Sequence, residues 1–261
     1  MARRNWGIWV SLLAVSAGNC LSANSIRVPR AEFRQAYCLQ PNGRVVVENL
    51  YGDVHITAWD RDEVLVEAIK TSSDPRQLDD ARIVVDSSSE QVSIRTQYGG
   101  TDAEHPASVQ YRITVPRGAN LANVKLVNGG LSISGLGGSV KASSVNGSIH
   151  AERLAGEAEL STVNGKVDAE FRRLDRTNQI SLSSVNGSIR LSIPQGAGAE
   201  LIAHNLSGGI ESQFGHVARE TGGHRLRARI NRGGAHIRLH NVNGGIWIRA
   251  GLGSRANHPV S

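Results

Sequence analysis

One recurring corner constrains the fold more than any other feature. From about residue 118 onward, Asn-Gly recurs at Asn128-Gly129, Asn146-Gly147, Asn164-Gly165, Asn186-Gly187 and Asn243-Gly244, with first intervals of 18, 18 and 22 residues. The copies extend beyond the dipeptide. Ser143-Ser144-Val145-Asn146-Gly147-Ser148-Ile149 aligns with Ser161-Thr162-Val163-Asn164-Gly165-Lys166-Val167 and with Ser183-Ser184-Val185-Asn186-Gly187-Ser188-Ile189. Ser207-Gly208, 21 residues after Asn186, reads as a degenerate copy. A fixed period of this size marks a repeat architecture, in which each unit buries its apolar face on its neighbours rather than in a core of its own.

The unit reads as two short strands and two turns. After each corner an apolar residue returns at every second position: Ile149 and Ala151, Val167 and Ala169, Ile189 and Leu191. That is strand periodicity with one face inward. Leu154-Ala155-Gly156 supplies a second corner, and Ala158 and Leu160 face inward again. Asn-Gly is a strong signal for a two-residue hairpin and hence for an antiparallel meander. It equally suits the corner of a β-solenoid coil. The copying of the whole corner favours the solenoid, because a stack constrains every residue that meets its own copy, and stacked Asn side chains can hydrogen-bond to one another. Gly and Asn are expected at the corners for positive φ.

Upstream the texture differs. Residues 24–40 read as a polar lead-in. Strands are expected over 44–49, 53–59, from Glu63, and over 83–86, 91–96 and 108–115, with a loop at 99–106. Asp74-Pro75 before Arg76-Gln77-Leu78-Asp79-Asp80-Ala81 predicts one short helix, with Asp as cap and Pro in the first turn. The stretch Gly215 to Gly234 departs from clean repeat spacing.

The first 23 residues have a separate role. Arg3 and Arg4 precede an apolar run from Trp6 to Ala17, and Leu21-Ser22-Ala23 is a plausible cleavage site. This is the order of a secretory signal peptide, and the run is too short to span a bilayer. Ala17-Gly18-Asn19-Cys20 loosely resembles a lipid-attachment box, but Asn19 suits it poorly, so ordinary cleavage is expected. Cys38 is then the one remaining cysteine, expected as a small buried apolar side chain. The expected organisation is therefore 1–23 signal peptide, 24–117 β-rich region with one short helix, 118–250 Val-Asn-Gly β-solenoid and 251–261 flexible tail. The class is all-β.

These motifs carry a resemblance. From Glu32-Phe33 through Gly52-Asp53-Val54-His55-Ile56-Thr57-Ala58-Trp59-Asp60, Val115-Pro116 and the Val-Asn-Gly repeats, the chain resembles the bacterial adhesin-type β-strand-repeat family. This is a domain family of unknown function, related in style to autotransporter adhesin head domains. The resemblance covers most of residues 30–250. It implies the architecture and an adhesin-like binding role, and it brings no catalytic residues.

The residues themselves offer little catalytic chemistry. There is no Gly-x-Ser-x-Gly elbow, phosphate loop or His-Glu-x-x-His motif. Glu152, Glu157, Glu159 and Glu170 fall on outward positions or turns, so they read as solvated charge. His204, His216, His224, His236 and His240 cluster late, but His236 and His240, four apart on a strand, lie about 13 Å apart, too far to share one ion. No metal site and no cofactor is expected.

Charge is more informative. Residues 215–261 hold eight arginines, no lysine and one acid, Glu220, so this segment carries +7 in a chain of net charge +6. Arg225, Arg227 and Arg229 alternate with Leu226, Ala228 and Ile230, which places three guanidinium groups on one strand face. Such a stripe suits an anionic envelope polymer or lipid headgroups; a solvated face that blocks edge aggregation is the plainer reading. Nucleic acid is a poor partner, because the chain is expected to be exported and the stripe lacks interleaved aromatics. The expected function is a non-catalytic envelope binding or scaffold protein, in the periplasm or at the cell surface, with a polymer or an envelope protein as partner. The competing expectations are a polysaccharide-acting enzyme on a β-helix and an envelope-stress accessory protein.

Overall fold

A computed structural model of the chain describes residues 29–99, 106–214, 217–219 and 224–251. The expected signal sequence with Cys20, and also His216, Glu220, Arg255 and the segment from 252 onward, lie outside the described residues. In chain order the elements are β1 (Arg30–Cys38), β2 (Arg44–Tyr51), β3 (Val54–Trp59), β4 (Glu63–Thr71), α1 (Pro75–Asp80), β5 (Ala81–Ser87), β6 (Gln91–Tyr98) and β7 (Ser108–Pro116). The repeats follow as β8 (Asn120–Asn128), β9 (Leu131–Ser134), β10 (Val140–Asn146), β11 (Ile149–Leu154), β12 (Ala158–Asn164), β13 (Val167–Phe171), β14 (Gln179–Asn186) and β15 (Ile189–Pro194). The last are β16 (Ala199–Ser207), β17 (Ile210–Ser212), β18 (Val217–Arg219), β19 (Arg225–Ile230), β20 (Ala235–Asn243) and β21 (Ile246–Gly251).

The fold is all-β, with two large sheets and one short helix. Sheet A runs β1-β4-β7-β3-β9-β11-β13-β15-β21-β17, and sheet B runs β18-β19-β16-β20-β14-β12-β10-β8-β2-β6-β5. Both are open at their ends among the described residues. Helix α1 forms where its local signals stand: the Asp74 side chain accepts from the Arg76 backbone N–H at 2.9 Å, Pro75 opens the first turn, and Leu78 is buried.

Each Asn-Gly corner carries the chain from a strand of sheet B to the following strand of sheet A, as from β10 to β11 and from β12 to β13. The two strands it joins therefore do not pair with each other, which rules out the hairpin. Equivalent strands of neighbouring coils pair in parallel and in register: Asn146 lies opposite Asn164, Ile149 opposite Val167, and Ala151 opposite Ala169. Apolar side chains therefore stack on their own copies between the sheets. One hydrophobic cluster runs from Leu39 to Ile248. It is built mainly of Val, Ile, Leu and Ala, with Tyr111 and Phe171 the largest fully buried side chains.

Spatial order departs from chain order at both ends. β20 pairs with β14 on one side and β16 on the other, and β21 pairs likewise with β15 and β17. The last coil in sequence therefore fills a gap between its two predecessors. β2 lies between β6 and β8, and β3 between β7 and β9, so the second coil in sequence is outermost. Antiparallel strands close the ends: β1-β4-β7 in sheet A, and β5-β6 and β16-β19-β18 in sheet B. Within the stretch of irregular repeat spacing, Val217–Arg219 and Arg225–Ile230 are the strands β18 and β19 of the last of these.

Two expectations are corrected. Residues 30–38 of the expected lead-in form β1, an edge strand paired with β4 throughout. Its alternation is weak because only one face meets the core, through half-buried Phe33 and Tyr37. Cys38 ends this strand and is exposed, not buried.

The corners are also explained differently from expectation. Gly52, Gly208 and Gly244 have positive φ, of 112°, 114° and 130°, whereas Gly129, Gly147, Gly165 and Gly187 do not. At these four a Cβ would run into the carbonyl oxygen of the stacked glycine in the neighbouring coil, as Gly147 would into Gly129 and Gly165 into Gly147. Glycine is required there by close approach of backbones. The Asn side chains form a ladder. Asn146 donates to Asn128, Asn164 to Asn146, Asn186 to Asn164 and Asn243 to Asn186, at 2.8–2.9 Å.

Candidate binding surface

The outer face of sheet B is assembled by parallel register. Side chains that face outward at equivalent positions line up in rows running across the strands, roughly 4.8 Å from one strand to the next. Three kinds of row result.

Beside the Asn ladder runs an aliphatic row. The residue before each corner faces out, giving in spatial order Leu50, Val127, Val145, Val163, Val185, Val242 and Leu206. Val145 and Val163 are 41% exposed, Leu50 44% and Leu206 65%. The residue before that faces in and is polar in most coils. Ser144, Thr162 and Ser184 donate to the carbonyls of Gly129, Gly147 and Gly165 at 2.8–3.3 Å. Asn241 and Asn205 do the same to Gly187 and Gly244 through Nδ2, at 3.2 and 2.7 Å. This inner row satisfies carbonyls that the tight glycine stack leaves unbonded. In β2 the equivalent Asn49 donates to the carbonyls of Tyr51, Gly52 and Val109, and accepts from Thr96 at 2.9 Å; Thr96 in turn bonds the Tyr111 hydroxyl at 2.7 Å. Burial pushes the Tyr111 phenol up to about 12.

The third set holds charge. Arg225, Arg227 and Arg229 lie on β19 and are exposed, with Leu226, Ala228 and Ile230 buried beneath. β19 is second from the edge of sheet B. Across β16 and β20, Arg225 shares a row with His204 and His240, Arg227 with Ile202 and Arg238, and Arg229 with Glu200 and His236. The rows differ in character. Arg229 donates to the Arg232 carbonyl at 3.4 Å, and Glu200 approaches His236 at 3.7 Å, so the third row is internally compensated. His204 and His240 stack, with ring centroids 5.5 Å apart and 6° between planes. Arg227 and Arg238 have no ion-pair partner among the described residues. Arg238, Ile202 and Leu206 were not singled out from the sequence, because what groups them with the arginines is pairing between β16, β20 and β19. The aliphatic position before Asn-Gly was visible in the sequence; its outward direction was not.

A groove of about 590 Å³ crosses the sheet B strands near their starts, its wall including Arg44, Glu90, Lys141, Glu159 and Arg238. Its charges are mixed. Glu157 and Glu159 in its wall are both exposed, and Glu159 pairs with Lys141 at 2.8 Å. Glu152 is half-buried, accepting from Ser134 at 2.9 Å, and Glu170 is exposed. No group of three His, Cys, Asp or Glu side chains converges among the described residues, and none of their helices is long and apolar enough to cross a membrane.

Comparison with known proteins finds solved structures to which this chain is similar. A solved structure of a candidate cell adhesion protein from Clostridium sporogenes ATCC 15579 is 10% identical, covers 85% of this chain and 100% of its own, and has a TM-score of 0.50. A candidate adhesin from Parabacteroides merdae ATCC 43184 is 8% identical over 84% of this chain and 96% of its own, with a TM-score of 0.37. Among curated proteins none matches. The family model described as Toastrack DUF4097 matches residues 21–249, and the chain belongs to that family.

Proposed function

We propose that this protein is an exported, non-catalytic envelope protein of adhesin-like type, a two-sheet β-solenoid that presents the outer face of sheet B to an extended polymer or protein partner. The observation that carries the reading is the in-register stacking of outward side chains into straight rows across the strands. A surface that repeats at strand spacing suits a ligand that also repeats, and with the backbone already paired on both sides the ordering cost of binding falls mainly on the exposed side chains. The mixed-sign groove and the ion-paired Glu159 favour binding over the polysaccharide-cleaving alternative. The charged start and apolar run before Ala23 support export to the periplasm or cell surface. Arg225, Arg227 and Arg229 contribute an anion-binding stripe within this face.

The test is retention of the mature protein on anionic envelope polymers and anionic lipid vesicles at low and moderate salt. The parent is expected to bind, less tightly as salt rises. Replacing the three arginines by serine is expected to remove most of the binding. A triple variant that binds like the parent contradicts the stripe.

A further inference from the structure

We propose that the end of sheet B formed by β19, β16 and β20 is a docking site for the surface of an anionic lipid bilayer, centred on Arg227, Arg238, Ile202 and Leu206. The inference rests on the binding reading above and narrows its partner to one chemistry. Ile202 lies between Arg227 and Arg238 in one row across three adjacent strands. It is 42% exposed, and Leu206, on the same outward face of β16, is 65% exposed, the highest exposure among the large exposed hydrophobics. Further along the sheet the Arg227–Ile202–Arg238 row continues as Ser181, Glu159 and Lys141, and the row between it and the aliphatic row continues as Ser183, Ser161, Ser143 and Lys125. Among the described residues, only at this end do arginines flank an exposed aliphatic residue, with His204 and His240 in the adjoining row.

That combination selects among anionic partners. A hydrophilic polyanion would engage the guanidinium groups and gain nothing from two exposed aliphatic side chains. A bilayer surface uses both: arginines meet headgroup phosphates, and their apolar stems let the aliphatic pair reach the acyl boundary. Each cation near an anionic leaflet contributes enough to shift partitioning several-fold. Arg229, turned back to the Arg232 carbonyl and sharing its row with Glu200, contributes less than its place in the stripe suggests.

The experiment is co-sedimentation of the full mature chain with phosphatidylcholine vesicles, with and without phosphatidylglycerol, beside retention on immobilised polyphosphate. The variants are R227S/R238S and I202S/L206S, all at outward positions, with thermal melts to establish that each remains folded. The parent should bind only vesicles containing phosphatidylglycerol. Each double variant should bind those vesicles at least tenfold more weakly, while I202S/L206S keeps the parent's retention on polyphosphate. If I202S/L206S binds vesicles as well as the parent, or if the parent binds polyphosphate but no vesicles, the bilayer inference is wrong and the broader anion-binding reading stands. Loss of both activities in the parent overturns both. Should I202S/L206S misfold, I202T/L206T serves the same comparison.

Discussion

At the corner residues, two side chains adjacent in sequence do different work. Gly165 is fixed by the carbonyl of Gly147 in the neighbouring coil, whereas Asn164 joins an exposed ladder. Gly165→Ala should therefore be much the more damaging change, since neither backbone can retreat without opening both sheets. Asn164→Ala removes two exposed amide hydrogen bonds and should cost only about 1–2 kcal/mol. Denaturant melts of the two variants check the order; equal losses would contradict the close-approach account. The dipeptide was legible in the sequence, but the reason for its glycine was not, because the clash partner lies a full coil away in the chain. The same holds for the inner polar row, where Ser144 and Thr162 look like surface residues until the glycine carbonyls they serve are known.

Tyr111 gives a second prediction at this scale. Its phenol is raised from 10.0 to about 12 by burial, and Tyr98 is raised in the same direction. A phenol whose folded value exceeds its unfolded value contributes stability that is complete below the unfolded value and lost as pH rises through the folded one. Stability should therefore fall between about pH 10 and pH 12, together with the rise of phenolate absorbance. In Tyr111→Phe that fall should be shallower.

At the scale of elements, the strands that the sequence showed most clearly are those flanked by neighbours on both sides, where alternation is enforced. β11, with Ile149 and Ala151 fully buried between β9 and β13, is one of them. Ile149→Asp places an unpaired carboxylate in that core and should destabilise by several kcal/mol, or prevent folding, as measured by urea titration. β1 is the opposite case: as an edge strand it needs only Phe33 and Tyr37 to face the core, so nothing in its residues forces a strand reading. α1 was legible because a cap and a proline act locally, without help from the rest of the chain.

For the whole molecule, the repeat was readable but its order was not. Periodicity states that units stack; it does not state which unit is next to which. Asn186 is followed in sequence by the Ser207 corner, yet its spatial neighbour is Asn243, with Ser207 one strand further out. This rearrangement brings Arg238 and the arginines of β19 to one end of sheet B, so the candidate surface depends on it. The direct test is disulfide trapping in a background lacking Cys38. Asn186 and Asn243 replaced by cysteine should cross-link readily, since partners on adjacent parallel strands lie about 4.8 Å apart, within disulfide reach. Cysteines at 186 and 207 should not, at about twice that spacing. Ready cross-linking of 186 to 207, with none between 186 and 243, would mean that the coils stack in sequence order and would contradict the account.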